Sequence, residues 1–179
     1  MRKVVHKWFW MWDFDKEEKW LNEMAAKGLA LISVGYFRYE FEDCVPGEYK
    51  ICSEFLGNRF SEVESAKYIE FLEETGAEHV GTFSNWVYFR KKTPEESFQL
   101  FSDYSSRIQY LTRIIRFIAL LGGLNLYMGC FNLFLFFYHN LYGNLIGTIN
   151  LLIGAICMIG MMRLIRKRKK IKAEQRIFE

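Results

Sequence analysis

The chain has 179 residues and a formal net charge of +3 at pH 7, a small total that conceals a strong division. Residues 1–104 hold 13 Lys and Arg against 19 Asp and Glu, a net charge of −6, whereas residues 105–179 hold 11 against 2, a net charge of +9. The first part is long enough for one small hydrophobic core, and its acidity disfavours nucleic-acid binding. The four cysteines form no CxxC pair, which excludes the common zinc and dithiol motifs.

Residues 1–93 carry the alternation and stop signals of a small α+β domain. Two helical segments end at Gly28 and Gly76, and Pro46-Gly47 predicts a turn. In chain order we predict strand, helix, strand, strand, helix and strand over Lys3–Trp12, Asp15–Lys27, Leu29–Asp43, Glu48–Leu56, Ser61–Gly76 and Glu78–Lys92. The order β-α-β-β-α-β predicts a ferredoxin-like domain, a four-stranded antiparallel sheet with two helices on one face.

Both faces of the predicted sheet carry large apolar and aromatic side chains, although two helices cover only one face. A large uncovered apolar face usually marks a contact site. The candidate binding residues on this face are Trp8, Trp10, Phe37, Tyr39, Trp86 and Tyr88.

Several occupants of this aromatic face remain open. One is a dimer or partner-protein interface, and another is a pocket for an apolar or cationic small molecule, because aromatic rings attract cations. A third is packing against the following helix or the membrane surface. Stacking of RNA bases is disfavoured, since the strand Tyr49–Phe55 lacks the Lys/Arg-Gly-aromatic signature and the domain is acidic.

Two charge-free apolar runs of 22 residues each, 117–138 and 141–162, follow a predicted amphipathic linker helix over 94–116. Because about 20 apolar residues cross a bilayer as a helix, the runs predict a transmembrane hairpin. Arginines precede the first run and the basic tail 163–179 follows the second. We therefore expect a multi-pass plasma-membrane protein with both termini cytoplasmic. The charged start, Met1–His6, predicts no cleavable signal peptide.

Small and amide side chains recur within the apolar runs. Asn125 and Asn132 share a helix face, Gly143 and Gly147 form a GxxxG spacing, and Gly154 follows one heptad later. This pattern favours close helix packing, within the hairpin or in a dimer, and a polar path is the alternative. Neither run contains Asp, Glu, Lys or Arg, which argues against an ion pump or proton relay.

No motif in the chain indicates catalysis or cofactor binding. There is no HExxH, phosphate-binding loop, GxGxxG or GxSxG, and the three histidines are scattered. Paired carboxylates lie on or beside the predicted helices, where we expect them to be solvated: Glu17-Glu18, Glu73-Glu74 and Glu95-Glu96. We therefore predict a non-catalytic protein without a metal or cofactor.

Three segments carry a family resemblance. They are Glu18–Gly28, which reads EKWLNEMAAKG behind an aromatic strand, Tyr88–Lys91, and Tyr104–Arg107. On these segments the first 110 or so residues resemble the bacterial domain-of-unknown-function 2812 family. The resemblance implies a Firmicutes membrane protein, often encoded beside a PadR-type transcriptional regulator, and hence a regulatory or sensory accessory role. It implies no catalytic residues, because the family has no established activity.

The leading interpretation is a membrane-anchored binding module whose aromatic sheet face binds a partner protein or a small apolar or cationic ligand. The expected partners are the lipid bilayer, a second copy of the chain, and a protein linked to a PadR-type regulator, whereas nucleic acid is not expected. The alternative is an accessory subunit of a membrane transporter or complex that assembles through the transmembrane hairpin.

Overall fold

The computed structural model describes residues 2–56, 62–92, 104–139 and 146–178. The chain divides into two units, Met1–Ser102 and Asp103–Glu179, here called unit 1 and unit 2. Unit 1 mixes helices and strands, whereas the described part of unit 2 consists mainly of two long helices.

The first half of unit 1 is a β-α-β-β arrangement. Strand β1 (Arg2–His6) leads through a 3-10 turn (Met11–Asp13) into helix α1 (Phe14–Ala26), which is followed by β2 (Leu29–Gly35) and β3 (Arg38–Asp43). The three strands form an antiparallel sheet in the order β1-β3-β2.

The second half of unit 1 has the same arrangement. Strand β4 (Tyr49–Phe55) precedes helix α2 (Glu62–Glu74), which is followed by β5 (Glu78–Phe83) and β6 (Trp86–Lys92). These strands form a second antiparallel sheet, in the order β4-β6-β5.

The two halves also match in detail. Each helix has 13 residues and is followed by a glycine with positive φ, Gly28 at +82° and Gly76 at +83°. The second strand of each half has a register shift, between Leu31 and Ser33 and between His79 and Gly81. Unit 1 is therefore an internal repeat of one β-α-β-β motif.

The predicted ferredoxin-like order is not confirmed, because two of the predicted strands are hairpins. The predicted strand Leu29–Asp43 reverses at Tyr36-Phe37, and Glu78–Lys92 reverses at Ser84-Asn85. Neither turn contains glycine or proline, and Phe37 and Ser84 take positive φ instead. A two-residue turn preserves the alternation of side chains, so the sequence pattern continued through both reversals.

The first strand is also shorter than the predicted Lys3–Trp12. It ends at His6, which pairs with Arg38, because the partner strand β3 begins at Arg38 after the chain reversal. Trp8 and Trp10 consequently lie beyond the sheet, in a connecting segment rather than on a sheet face.

Polar contacts join the two halves of unit 1. The Asn22 amide of α1 donates to the Ile51 carbonyl of β4 at 2.8 Å and accepts from the Ile51 N–H at 3.0 Å. Arg90 of β6 donates to the Glu42 carboxylate at 2.8 Å and to the Leu31 carbonyl at 3.1 Å. Large side chains of both halves are fully buried, among them Leu21, Leu31, Phe41, Ile51, Phe55 and Phe89.

Unit 2 contains helices α3 (Tyr104–His139) and α4 (Gly147–Phe178). Their most apolar windows have mean hydropathies of 1.7 and 1.9 and are only 28% and 22% buried, so both helices are long and apolar enough to cross a membrane. Helix α3 enters the first apolar run without a break, and α4 continues into the basic tail. Residues 93–103 of the predicted linker and Gly143 lie outside the described residues.

Candidate ligand-binding site

A cavity of about 230 Å³ opens where the two halves of unit 1 meet. The two non-glycine residues with positive φ in the described chain, Phe37 at +52° and Ser84 at +55°, both border it. Such left-handed backbone is strained at residues with a side chain, and strained turns cluster at functional sites. The cavity is lined by Phe9, Trp10, Met11, Glu17, Val34, Gly35, Tyr36, Phe37, Tyr39, Phe83, Ser84, Trp86 and Tyr88.

The carboxylate in this lining belongs to Glu17, which is only 8% exposed. Helix α1 places Glu17 in its first turn, on the same face as the fully buried Leu21 and Ala25. The Oε1 atom of Glu17 accepts a hydrogen bond of 2.7 Å from the Tyr39 hydroxyl and one of 2.8 Å from the Tyr88 hydroxyl. One carboxylate is therefore held between the two sheets.

Burial raises the pKa of the Glu17 carboxyl above its ordinary value, and the hydrogen bonds from the two tyrosines oppose that rise. Burial also raises the pKa of Tyr39, with the negative charge of Glu17 as the next cause. Tyr39 consequently remains a hydroxyl donor to Glu17. A carboxyl group with a raised pKa in a cavity is a candidate contact for a ligand.

The expectation that Glu17 is solvated is wrong. Glu17 lies three residues after the buried Phe14 and four before the buried Leu21, so the helix turns it toward the core. That spacing was visible in the sequence and is the signal that could have identified Glu17. Its neighbour Glu18 is also engaged, because its Oε2 atom accepts the Ser53 N–H at 3.2 Å.

Five of the six aromatic candidates line the cavity: Trp10, Phe37, Tyr39, Trp86 and Tyr88. The sixth, Trp8, lies beside them, with its ring centroid 4.1 Å from that of Phe37 and 5.3 Å from that of Trp10.

The six candidates differ sharply in exposure. Tyr39, Trp86 and Tyr88 are nearly buried, whereas Trp8 is 53%, Trp10 41% and Phe37 39% exposed. We call these three exposed residues the rim. The candidates therefore divide into an inner group held by the two sheets and a rim that faces solvent.

Few reactive groups reach the cavity. Apart from Glu17 and the tyrosines, Ser84 supplies a hydroxyl group, and no histidine, cysteine, lysine or arginine belongs to the described lining. Within the part of the chain that the structure describes, no group of three or more His, Cys, Asp or Glu side chains could hold a metal ion. The arrangement is an apolar aromatic wall with one anionic group, which suits binding of a small molecule.

The predicted transmembrane packing residues lie partly between α3 and α4. A Cβ atom at Gly147 would lie 2.8 Å from the Asn132 Cβ, and one at Gly154 would lie 2.6 Å from the Leu126 side chain. Asn125 and Asn132 each donate to the backbone carbonyl four residues earlier, at 2.8 and 2.7 Å. The two glycines thus allow the helices to approach closely.

A family model described as a protein of unknown function, DUF2812, matches residues 13–122. The chain belongs to this family. The resemblance noted in the sequence is thereby confirmed. Comparison with curated proteins found no match, and neither did comparison with solved structures.

The DUF2812 match includes most of the cavity and part of α3. Glu17, Tyr39 and Tyr88 lie within it, whereas the rim residues Trp8 and Trp10 precede it. The match ends at residue 122, inside α3. Because the DUF2812 description assigns no activity, a functional argument depends on the geometry of the site.

Proposed function

We propose that this DUF2812 protein is a membrane-anchored, non-catalytic sensory or regulatory module that binds a small apolar or cationic molecule in the cavity of unit 1. The observation that carries the proposal is the convergence of both halves on one cavity, where aromatic rings surround a single buried carboxylate. Signalling to a partner protein would then depend on whether the cavity is filled.

The size and chemistry of the cavity support a ligand site. Packed interiors leave few voids larger than a water molecule, so a volume of about 230 Å³ is not an ordinary packing gap. Ligand pockets typically enclose about 300–1,000 Å³ and combine apolar walls with a few polar groups. At about 230 Å³ this cavity is smaller than that range, which favours a molecule with a single ring system.

The lining favours binding over catalysis. A serine nucleophile needs a neighbouring base, and no histidine accompanies Ser84 among the described lining residues. The carboxyl group of Glu17 is already engaged by two hydroxyl groups. Its chemistry suits recognition of a ligand group.

The proposal includes a transmembrane hairpin with both ends in the cytoplasm. Large apolar side chains such as Leu124, Phe131 and Leu152 are exposed along α3 and α4, as expected of surfaces in contact with lipid. The flanking arginines and lysines support the orientation by the positive-inside rule. The orientation is tested with a reporter that is active only in the cytoplasm and is fused after Glu179. Activity of a reporter that works only outside the cell, fused at the same position, would contradict it.

The binding proposal is tested with the full chain in lipid nanodiscs. Neutral, cationic and anionic single-ring fragments are titrated while tryptophan fluorescence and ligand-observed NMR are recorded, with empty nanodiscs as the blank. We expect saturable binding that Phe37→Ala weakens about tenfold, since the ring of Phe37 borders the cavity. The matched control is Phe71→Ala, a 58% exposed ring on α2 outside the lining. Absence of saturable binding, or equal loss in both variants, would contradict the proposal.

A second candidate is a protein contact at the rim. The exposure of Trp8 and Trp10 beside Phe37 favours it, because adjacent aromatic side chains are common in protein interfaces. Fragment binding that leaves the oligomeric state unchanged favours the small-molecule site. Self-association that Trp8→Ala abolishes, without fragment binding, favours the protein contact.

A further inference from the structure

Glu17 uses only one of its two carboxylate oxygens. Both tyrosine hydroxyl groups donate to Oε1, and none of the described residues donates a hydrogen bond to Oε2. Nor does a described lysine, arginine or histidine form an ion pair with this carboxylate. The carboxylate is thus largely removed from water, and both tyrosine hydroxyl groups contact the same oxygen atom, Oε1.

Burying a carboxylate removes its hydration, and without a counter-ion no ion pair offsets that desolvation cost. Proteins usually place a lysine or arginine beside such a group, and the described lining of this cavity contains neither. The described lining therefore lacks a positive charge, and a bound ligand can supply one.

The walls of the cavity suit a cation as well. The faces of tryptophan and tyrosine rings are electron-rich and attract positive charge, most strongly where water is excluded. Trp86 and Tyr88 are 6% and 3% exposed, so they offer such an environment close to Glu17. Trp10 and Phe37 extend the aromatic lining toward solvent.

We infer, resting on the proposed function, that the ligand is a small organic cation in which an ammonium-type group is attached to one apolar ring system. The positive group lies beside Oε2 of Glu17, and the ring lies among the aromatic side chains. A neutral ligand would leave the carboxylate unpaired, and an anion would be repelled by it. The volume of about 230 Å³ limits the ligand to about one ring with a small substituted ammonium group.

Two isosteric probes test the charge alone. Phenyltrimethylammonium and tert-butylbenzene have nearly the same shape, because the first differs by a positively charged nitrogen in place of the central carbon. Both are titrated against the full chain in lipid nanodiscs, with empty nanodiscs correcting for partition into lipid. We expect the cation to bind at least about tenfold more tightly than its neutral isostere.

The variants locate the source of that preference. In Glu17→Gln the preference for the cation is expected to disappear, while the neutral probe binds as in the wild type or better. Glu23→Gln is the matched control, since it removes the same charge from an exposed position of the same helix and should retain the preference. A preference that survives in Glu17→Gln, or that Glu23→Gln also abolishes, would overturn the inference.

The outcomes separate this inference from the proposed function. Equal binding of the two probes by the wild-type protein overturns the cation inference and leaves the small-molecule site in place. Absence of saturable binding of every probe and fragment overturns both. The wild-type comparison requires no substitution, so it decides the inference even where Glu17→Gln fails to fold.

Discussion

The hydroxyl group of Tyr88 lies 2.8 Å from the Oε1 atom of Glu17, although 71 residues separate them in the chain. Tyr88 belongs to β6 in the second half of unit 1, and Glu17 belongs to α1 in the first. The hydrogen bond therefore joins the two halves at the wall of the cavity. Hydrogen bonds to an ionised acceptor are stronger than those between neutral groups. The strength of this contact, and with it the free energy of unfolding, therefore depends on whether the Glu17 carboxyl group is ionised.

Tyr88→Phe should destabilise the protein, because it removes a hydrogen bond from a buried carboxylate. We expect the free energy of unfolding to fall by about 1–3 kcal/mol, measured by denaturant titration of tryptophan fluorescence. Tyr36→Phe is the control, since Tyr36 also lines the cavity but is 78% exposed, and it should change the free energy little. Equal effects of the two substitutions would show that the Tyr88 hydrogen bond does not contribute measurably to the free energy of unfolding.

Glu17→Gln should make the ligand-free protein more stable at neutral pH. Because burial raises the pKa of Glu17, the folded protein keeps this proton to a higher pH than the unfolded chain. Wild-type stability is therefore expected to fall as the pH rises from the ordinary carboxyl pKa of 4.5 through the raised pKa. Each unit of such a shift corresponds to about 1.4 kcal/mol.

This pH dependence is checked by melting wild type and Glu17→Gln between mildly acidic and neutral pH. Among the described residues, the groups that contact Glu17 are the hydroxyls of Tyr39 and Tyr88, and because a tyrosine hydroxyl ordinarily keeps its proton at neutral pH, they do not add to the slope. The downward slope should be present in the wild type and smaller in the variant. Identical slopes would contradict the assignment to Glu17.

Gly28→Ala should cost more stability than Gly47→Ala. Both glycines have positive φ, at +82° and +78°, so each alanine carries a strain of about 1–2 kcal/mol. At Gly28 the new Cβ would also lie 2.9 Å from the Cys44 carbonyl oxygen, whereas at Gly47 nothing lies within 4 Å. Because the strain from positive φ is common to both variants, the difference between their losses in unfolding free energy measures the cost of this close approach. Equal losses in the two variants would contradict the prediction.

Arg90→Lys should weaken the contact between the two halves. The Arg90 guanidinium group reaches Glu42, Glu78 and the Leu31 carbonyl together, and a lysine ammonium group cannot reproduce this planar geometry. We expect a loss of about 1–3 kcal/mol in the free energy of unfolding. Arg38→Lys serves as the comparison, because Arg38 is 54% exposed and pairs only with Glu40 in the contacts described; it should lose less than about 0.5 kcal/mol.

Gly147→Ala should separate α3 from α4. Its Cβ would lie 2.9 Å from the Gly129 carbonyl oxygen, a backbone atom that cannot move aside cheaply. Gly123→Ala provides the matched control, because nothing lies within 4 Å of its Cβ and alanine favours a helix by about 1 kcal/mol over glycine. Unfolding in SDS is monitored by energy transfer between dyes on the two helices. Only Gly147→Ala should unfold at a lower SDS concentration than the wild type.

Local sequence patterns determined much of this architecture. The length and hydropathy of the apolar runs predicted the two long helices, because spanning length depends only on rise per residue. Gly28 and Gly76 predicted the ends of α1 and α2, since both take a backbone conformation that glycine adopts readily. Aromatic composition likewise indicated five of the residues that line the cavity.

Tertiary structure decided what local patterns cannot encode. The two-residue turns at Phe37 and Ser84 preserve the alternation of inward and outward side chains, so the sequence of each hairpin has the pattern of one long strand. Only the strand pairing in the structure shows that the strands form two sheets instead of one. The burial of Glu17 depends on Tyr39 and on Tyr88, which lies 71 residues away, and on the sheets that deliver them. The sequence analysis took Glu17 to be solvated, and only the packing of both halves around it made a buried carboxylate within an aromatic cavity.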